Sequence, residues 1–513
     1  MTERIAAATA RAWLHDGDEI ALLDVREAGQ FGEGHAFFAV NAPYSRLELD
    51  IGARVPRLGT RIVLIDDDDG VADRAAARLD QLGYTRITCL AGGATAWREG
   101  GGALFKGVNV PSKTFGEWVE QVCHTPHISA ADLHARQQAG DALTLLDGRT
   151  LAEHHKMAVP GAQPVPNGEL ALRAASLIAD PVTPVVVHCA GRTRSIIGAQ
   201  TLRHLGLPNP VLALENGTQG WRLAGLDLEY GSPRTLPPPA ADQGAWRARA
   251  RRFAERAGAP VLTAIAAQAW LDDAQRTTYL IDMRTAEEYA SGTLTHAVNA
   301  PGGQLIQATD QYMAVRGARV LLVDDDDIRA PVVAAWLRQM GWQAATVEGG
   351  ISAALHAPQP RRCTPAAVAT LDSDALAAAQ ARGVPLLDLR SSHAYRDGHV
   401  EGARWSIRPR LPAAVHGAGE VVLIGEQALV ALAADDLRQA GVDVQVATQQ
   451  VAATLPQART PHLPANDEAI DYLFFVHDRH DGNLDAARRY LAWETGLIAQ
   501  CQADELAAFA ALP

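Results

Sequence analysis

Four times along the chain two apolar residues are followed by Asp-x-Arg: Leu22-Leu23-Asp24-Val25-Arg26, Leu145-Leu146-Asp147-Gly148-Arg149, Leu280-Ile281-Asp282-Met283-Arg284 and Leu386-Leu387-Asp388-Leu389-Arg390. A second β-rich run follows each, and the residue just after it lies 42 positions beyond the Asp in three cases (Asp66, Cys189, Asp324) and 37 beyond in the fourth (Gly425). A helix-ending Gly comes 59, 59, 59 and 53 positions after the Asp, at Gly83, Gly206, Gly341 and Gly441. Agreement at two landmarks to the residue requires duplication, and a duplicated chain must fold as copies of one supersecondary unit. The length of 513 residues is consistent with three or four units of about 150 residues or fewer.

Within each copy a short buried strand carries the Asp-x-Arg at its end. An irregular Gly/Pro/Ala stretch, a second strand, a loop, an Ala-rich helix ending in Gly and a third strand follow. Alternating strands and helices predict an α/β fold, each copy a mainly parallel sheet flanked by helices. The expected boundaries are 1–107, 128–232, 258–358 and 363–455, with a helical tail over 461–513. The linkers between them hold a triple proline, Pro237-Pro238-Pro239, and a basic stretch with arginines at 247, 249, 251, 252 and 256.

The net charge of −13 argues against a general nucleic-acid binder, and the basic stretch is expected to be a solvated linker face. Five scattered cysteines form neither a disulfide framework nor a CxxC metal pattern. No apolar run approaches the roughly 18 residues of a membrane helix, and the first residues do not read as a signal peptide, so a reducing cytoplasm is expected.

Ligands of parallel sheets bind at strand carboxyl ends beside helix N-termini, which is where the residue at the 42nd position falls. Only the second copy has a nucleophile there, in His188-Cys189-Ala190-Gly191-Arg192-Thr193-Arg194-Ser195. Helix-start amides and two arginines favour the thiolate of Cys189 and make Ala190, Gly191, Arg192, Thr193, Arg194 and Ser195 the expected cradle for an oxyanion. An activated nucleophile in an anion cradle is suited to group transfer through a covalent intermediate.

Here the copies resemble rhodanese domains, and the chain resembles a multidomain rhodanese-family sulfurtransferase. Gly398-His399-Val400-Glu401-Gly402-Ala403 is similar to the family's Gly-His-Ile-Pro-Gly-Ala stretch, and Val159-Pro160-Gly161-Ala162 matches its second half. The late Gly-Gly-x-x-x-Trp feature stands as Gly92-Gly93 with Trp97, and partially as Gly217 with Trp221. The resemblance implies that Cys189 takes the outer sulfur of a donor as a persulfide and passes it to an acceptor, with no cofactor or metal. It also implies a small anionic donor (thiosulfate or a persulfide such as glutathione persulfide) and a thiol acceptor such as glutathione, thioredoxin or a sulfur carrier, or cyanide. Two alternatives stay open: a persulfide sensor or scaffold without turnover, and a cysteine phosphatase. The phosphatase signature has five residues between Cys and Arg-Ser/Thr, whereas four separate Cys189 from Arg194.

Other features have plainer expectations. His188 ends a buried strand, and Asp147 with Arg149, recurring in copies without the cysteine, forms a structural ion pair. The acidic runs 66–69 and 324–327 are expected as solvated loops rather than cation sites. Cys123-His124 with His127, and His477-Asp478 with His480-Asp481, read as turns or caps rather than metal ligands. The three copies lacking the nucleophile are expected to be inactive and architectural, copy one pairing with copy two and copy three with copy four.

Overall fold

Every copy builds its sheet around the strand that carries Asp-x-Arg. In the computed structural model, which describes residues 2–178, 180–240, 242–460, 468–473 and 479–512, the second copy orders its strands His127–Ile128, Val211–Leu214, Val185–His188, Thr144–Asp147, Gln163–Pro164. All four neighbouring pairs are parallel. The first and third copies repeat this order, and the third is parallel throughout. In the fourth copy four parallel strands keep the order, and a parallel bridge from Thr370 to Val446 stands where the missing edge strand would pair. The central strands are buried on both faces, as their unbroken Val/Leu/Ile runs require.

The Asp-x-Arg pair ends the strand in the same way each time. Arg149 donates to both carboxylate oxygens of Asp147 at 2.9 and 2.7 Å and to the Met157 carbonyl at 2.5 Å. Arg26, Arg284 and Arg390 likewise reach the carbonyls of Gly34, Gly292 and Gly398, eight residues on, at 2.7, 2.6 and 2.6 Å. The arginine thus closes the irregular segment after the strand back onto the strand end, a structural task common to all copies.

The chain divides into two units: Met1–Ala12, Ala21–Gly107 and Arg361–Phe475 in one; Trp13–Ile20, Val108–Pro360 and Val476–Pro513 in the other. Copy one is therefore partnered with copy four, and copy two with copy three, not sequential neighbours from the N-terminus as expected. Buried arginines explain the pairing. In the first unit Arg408 of copy four, 3% exposed, is bidentate to Glu48 of copy one at 2.7 and 2.8 Å and lies 4.4 Å over the Tyr44 ring. In the second unit Arg329 of copy three, 1% exposed, reaches Glu169 of copy two at 3.0 Å, and Trp336 donates to Thr201 at 2.9 Å. Such charges are tolerated inside only when paired, so each arginine specifies its partner copy.

The linkers before copies two and three are helical, as is the tail. The linker before copy two holds the 14-residue helix Val110–Cys123, whose middle is buried all round from Ser112 to Glu117. The basic stretch is the helix Gly244–Arg256: Arg247, Arg251, Arg252 and Arg256 are exposed, as expected of a solvated face, while Trp246, Ala250, Phe253 and Ala254 are buried; Arg247 donates to the Asp326 carbonyl at 2.7 Å, and Arg251 pairs with Asp327. The tail contributes the helices Leu484–Thr495, Leu497–Gln500 and Ala503–Leu506, while 461–467 and 474–478 lie outside the described residues. No helix among the described residues is long and apolar enough to cross a membrane.

Candidate active site

The buried run Val185–His188 delivers Cys189 to the sheet's carboxyl edge, and the helix Thr193–His204 begins four residues later. The first amides of a helix have no intrahelical acceptor and carry the positive end of its dipole, so Cys189 sits where negative charge is favoured. Its thiol points to the Ser195 hydroxyl at 3.6 Å, which in turn donates to the Arg192 carbonyl at 2.7 Å. Cys189 is 2% exposed.

A second helix, Gly217–Leu223, presses its start against the loop from the side. Thr218 and Gln219 donate backbone N–H groups to the Cys189 and Ala190 carbonyls at 2.9 and 3.1 Å. Gly217 adopts φ +51°, and a Cβ there would lie 2.1 Å from the Cys189 oxygen, so the approach demands glycine. The same contact recurs without the cysteine: Ala94 and Ile351 donate to the carbonyls of Asp66 and Asp324, both at 2.9 Å.

Those aspartates accept the backbone amides of their own loops. Asp324 accepts N–H bonds from Asp327, Ile328 and Ala330 at 3.1, 3.1 and 2.9 Å; Asp66 accepts from Asp68 and Ala72 at 3.0 and 2.9 Å. Each carboxylate fills the anion cradle of its own copy. The acidic runs are thus not simply solvated: Asp66, Asp324 and Asp326 are buried, and burial followed by the neighbouring Asp326 pushes Asp324 up to about 7. A cavity of about 780 Å³ opens over the third copy's acidic loop rather than over Cys189.

The arginines of the Cys189 loop are engaged. Arg194 is bidentate to Glu153 at 2.7 and 2.6 Å, and Asn167 holds the Arg194 carbonyl at 2.7 Å. The pair recurs in copy three as Arg329 with Glu288, at the same offsets of 47 and 6 from the Asp, so it belongs to the repeat's framework. Burial raises Glu153, but Arg194 prevails and holds it at about 2. Arg192 is bidentate to Glu117 at 2.7 and 2.9 Å and also meets Glu120. Both carboxylates come from the helix Val110–Cys123, and burial pushes Glu117 up to about 7.

The tail completes the surround. Thr193 donates its hydroxyl to Glu494 at 2.7 Å, and Lys113 lies 3.9 Å from the same carboxylate oxygen and 2.6 Å from the Tyr490 hydroxyl. Glu494 is 1% exposed, and its other oxygen has no partner. A Cβ on Gly191 would lie 3.0 Å from that oxygen, 3.1 Å from the Tyr490 ring and 3.4 Å from the Gln219 amide nitrogen. Three cations and four carboxylates therefore ring the loop, and no net positive charge is left beside the sulfur.

His188 is fully buried, 3.6 Å from Asp147, and burial pushes it down to about 4, so it is a neutral strand-end residue. Cys123 donates to the Leu512 carbonyl at 2.9 Å, His124 is the left-handed cap of its helix, and His127 pairs with Glu215 at 3.1 Å. No group of three or more metal-ligating side chains is assembled among the described residues; His477 and Asp478 lie outside them.

A family model for the rhodanese-like domain matches residues 6–100, 129–224 and 263–357, more than half of the chain. The chain belongs to the rhodanese family. Its second rhodanese copy holds Cys189; the fourth copy shares the strand order outside those matched spans. A crystal structure described as a thiosulfate sulfurtransferase from Pseudomonas aeruginosa is 41% identical, covers 100% of both chains and superposes with a TM-score of 0.90. A rhodanese-related protein from Thermoplasma volcanium is 29% identical over 20% of this chain and 97% of its own, with a TM-score of 0.18. Among curated proteins, the HTH-type transcriptional regulator Rv0324 of Mycobacterium tuberculosis is 35% identical over 108 residues, which span 21% of this chain and 46% of that regulator.

The carboxylates escaped the reading of the sequence. Glu153 had a signal, the Thr150-x-x-Glu153 capping box repeated as Thr285-x-x-Glu288. Glu117, Glu120 and Glu494 had none, because they lie outside the repeated segment.

Proposed function

We propose that this chain is a sulfurtransferase that moves a sulfane sulfur from an anionic donor, thiosulfate or a persulfide, through a Cys189 persulfide to a thiol or cyanide. The observation that carries the reading is the placement of Cys189 where Asp66 and Asp324 stand in the other copies, in a loop whose helix-start amides accommodate an anion. The Cys189 thiolate attacks the donor's outer sulfur, and the bond to sulfite or to the organic thiolate breaks with its electron pair on the leaving group. An acceptor thiolate then attacks the carried sulfur and Cys189 leaves as thiolate, so the cycle is redox-neutral. Backbone amides of the loop stabilise the sulfur's charge through both steps. The name of the Pseudomonas relative supports the same chemistry.

The burial of Cys189 at 2% exposure favours a second reading, a sensor that holds one sulfur without turning it over. Sulfite release from thiosulfate in the presence of cyanide separates the two. Multiple turnovers, abolished in Cys189→Ser, support the enzyme; release that stops at one equivalent supports the sensor.

A further inference from the structure

The helix after Asp-x-Arg begins four residues beyond the Asp in every copy, at Ala28, Leu151, Ala286 and Ser392. In the first unit two of these helix starts, from copies one and four, hold a single short turn of the chain within residues 468–473. Gly29 donates its backbone N–H to the Ile470 carbonyl at 2.7 Å, and Ser392 donates its own to the Asp471 carboxylate at 2.8 Å. Arg410 donates to the Glu468 carbonyl at 2.8 Å, and the Tyr472 N–H closes the turn on the Ala469 carbonyl at 3.1 Å. Ala469 and Ile470 are buried, and the Tyr472 and His393 rings lie 4.1 Å apart.

The second unit leaves the equivalent crevice open. A cavity of about 430 Å³ lies between copies two and three, lined by Leu151 and Ala286 at the helix starts and by Pro166 and Pro301, each 19 residues after its Asp. Glu169 and Gln304 line it at the position that Arg410 holds in copy four, 22 residues after the Asp. What differs is the path of the chain. It leaves copies two and four alike, by antiparallel pairing of Glu229 with Ala158 and of Ala458 with His399. Thr235 and Leu236 then line the cavity, but Pro237-Pro238-Pro239, held extended by their fixed backbone, carry the chain to the helix Leu170–Arg173, where Arg173 holds the Pro237 carbonyl at 2.7 Å. Ala152 and Glu287 stand where Gly29 admits the Ile470 carbonyl, so an occupant of the second unit sits further out, against Leu151 and Ala286.

We propose that this cavity is the docking site for a turn segment of a partner protein, with the small–aliphatic–acidic pattern that Ala469-Ile470-Asp471 presents to the first unit. The same repeated architecture holds such a segment in one unit, and the prolines keep its counterpart vacant for another. The site is continuous with the interface of copies two and three: Glu169 in its wall pairs with Arg329 at 3.0 Å, and a Cβ on Gly168 would lie 2.7 Å from the Gly303 nitrogen. Leucine, proline and alanine walls take the aliphatic side chain, in a volume ordinary for organic ligands. Arg194 also lines the cavity, so a docked partner touches the framework of the Cys189 loop. The proposal does not depend on the sulfur-transfer reading.

The test uses the full chain and a fluorescein-labelled peptide, Glu-Ala-Ile-Asp-Tyr-Leu, the sequence of 468–473. Anisotropy is expected to report binding to the wild type. Ala286→Trp fills the cavity from an exposed position, and Leu236→Asp places a charge in its wall; neither native side chain is buried, so the fold is retained. Each variant is expected to weaken binding at least about tenfold, as is a peptide carrying Asp at its Ile position. A photocrosslinker at that Ile position is expected to attach to copies two and three. No binding to the wild type, binding unchanged in both variants, or crosslinks confined to copies one and four overturns the proposal; the last result would mean that the peptide exchanges with residues 468–473. An apolar dye that Ala286→Trp displaces and the peptide does not would also overturn it, assigning the cavity to a small apolar ligand.

Discussion

Arg192 and Arg194 are neutralised by carboxylates that arrive from two other helices, Val110–Cys123 and Leu151–Lys156, so holding an anion at Cys189 would fall to the backbone amides around it. Glu153 gives this a measurable pH signature. Its folded pKa, about 2, lies below its ordinary value of 4.5, so its contribution to stability is complete above about 4.5 and is lost as pH falls toward 2. Glu153→Gln is expected to flatten that acid limb in denaturant titrations run between the two values. The variant also unmasks Arg194, so the KM for thiosulfate is expected to fall; an unchanged KM would show that the guanidinium never senses the donor. Gly217 is the other residue whose identity is fixed by geometry. Gly217→Ala combines a left-handed backbone with a contact at 2.1 Å to the Cys189 carbonyl, and a loss of about 2 kcal/mol or more is expected in urea unfolding.

The tail helix Leu484–Thr495 and the helix Val110–Cys123 together enclose the Cys189 loop, Gly116 facing Thr193 and Glu494 facing Gly191. Ending the chain after Asn483 is expected to raise the rate of Cys189 alkylation by iodoacetamide about tenfold or more, read by peptide mass mapping. An unchanged rate would mean that the tail does not shield the thiol. These two helices also mark the limit of what the sequence displayed. The strands, the junction position of Cys189 and the Asp-x-Arg closure were legible, because each recurs at fixed spacing and the apolar runs leave no alternative to a buried parallel strand. The enclosing helices occur once each, so nothing in the repeat pointed to Glu117, Glu120, Tyr490 or Glu494. Asp66 and Asp324 looked like solvent-facing charge because composition alone does not reveal that a carboxylate can satisfy amides of its own loop.

At the scale of the whole molecule, pairing follows side-chain complementarity and not order along the chain. Copy one finds copy four because its Glu48 and Tyr44 meet the buried Arg408; copy two finds copy three because its Glu169 meets the buried Arg329. Neither match is visible from the repeat, which makes all four copies look equivalent. Removing one partner of a buried ion pair leaves the others uncompensated, so Arg408→Ala and Arg329→Ala are each expected to destabilise their own unit by about 3–5 kcal/mol. Followed by calorimetry and by loading of Cys189 in parallel, Arg329→Ala is expected to impair loading and Arg408→Ala to spare it. Equal losses in both variants would contradict the assignment of catalysis to the unit of copies two and three.

The central claim, that sulfur travels on Cys189, is tested most directly by intact mass after incubation with thiosulfate or glutathione persulfide, followed by addition of cyanide or thiol. The account requires a gain of one sulfur, about 32 Da, on the wild type and none on Cys189→Ser, discharged by the acceptor. No adduct from either donor, together with hydrolysis of an aryl phosphate by the wild type, would contradict it and assign the cysteine to phosphoryl chemistry.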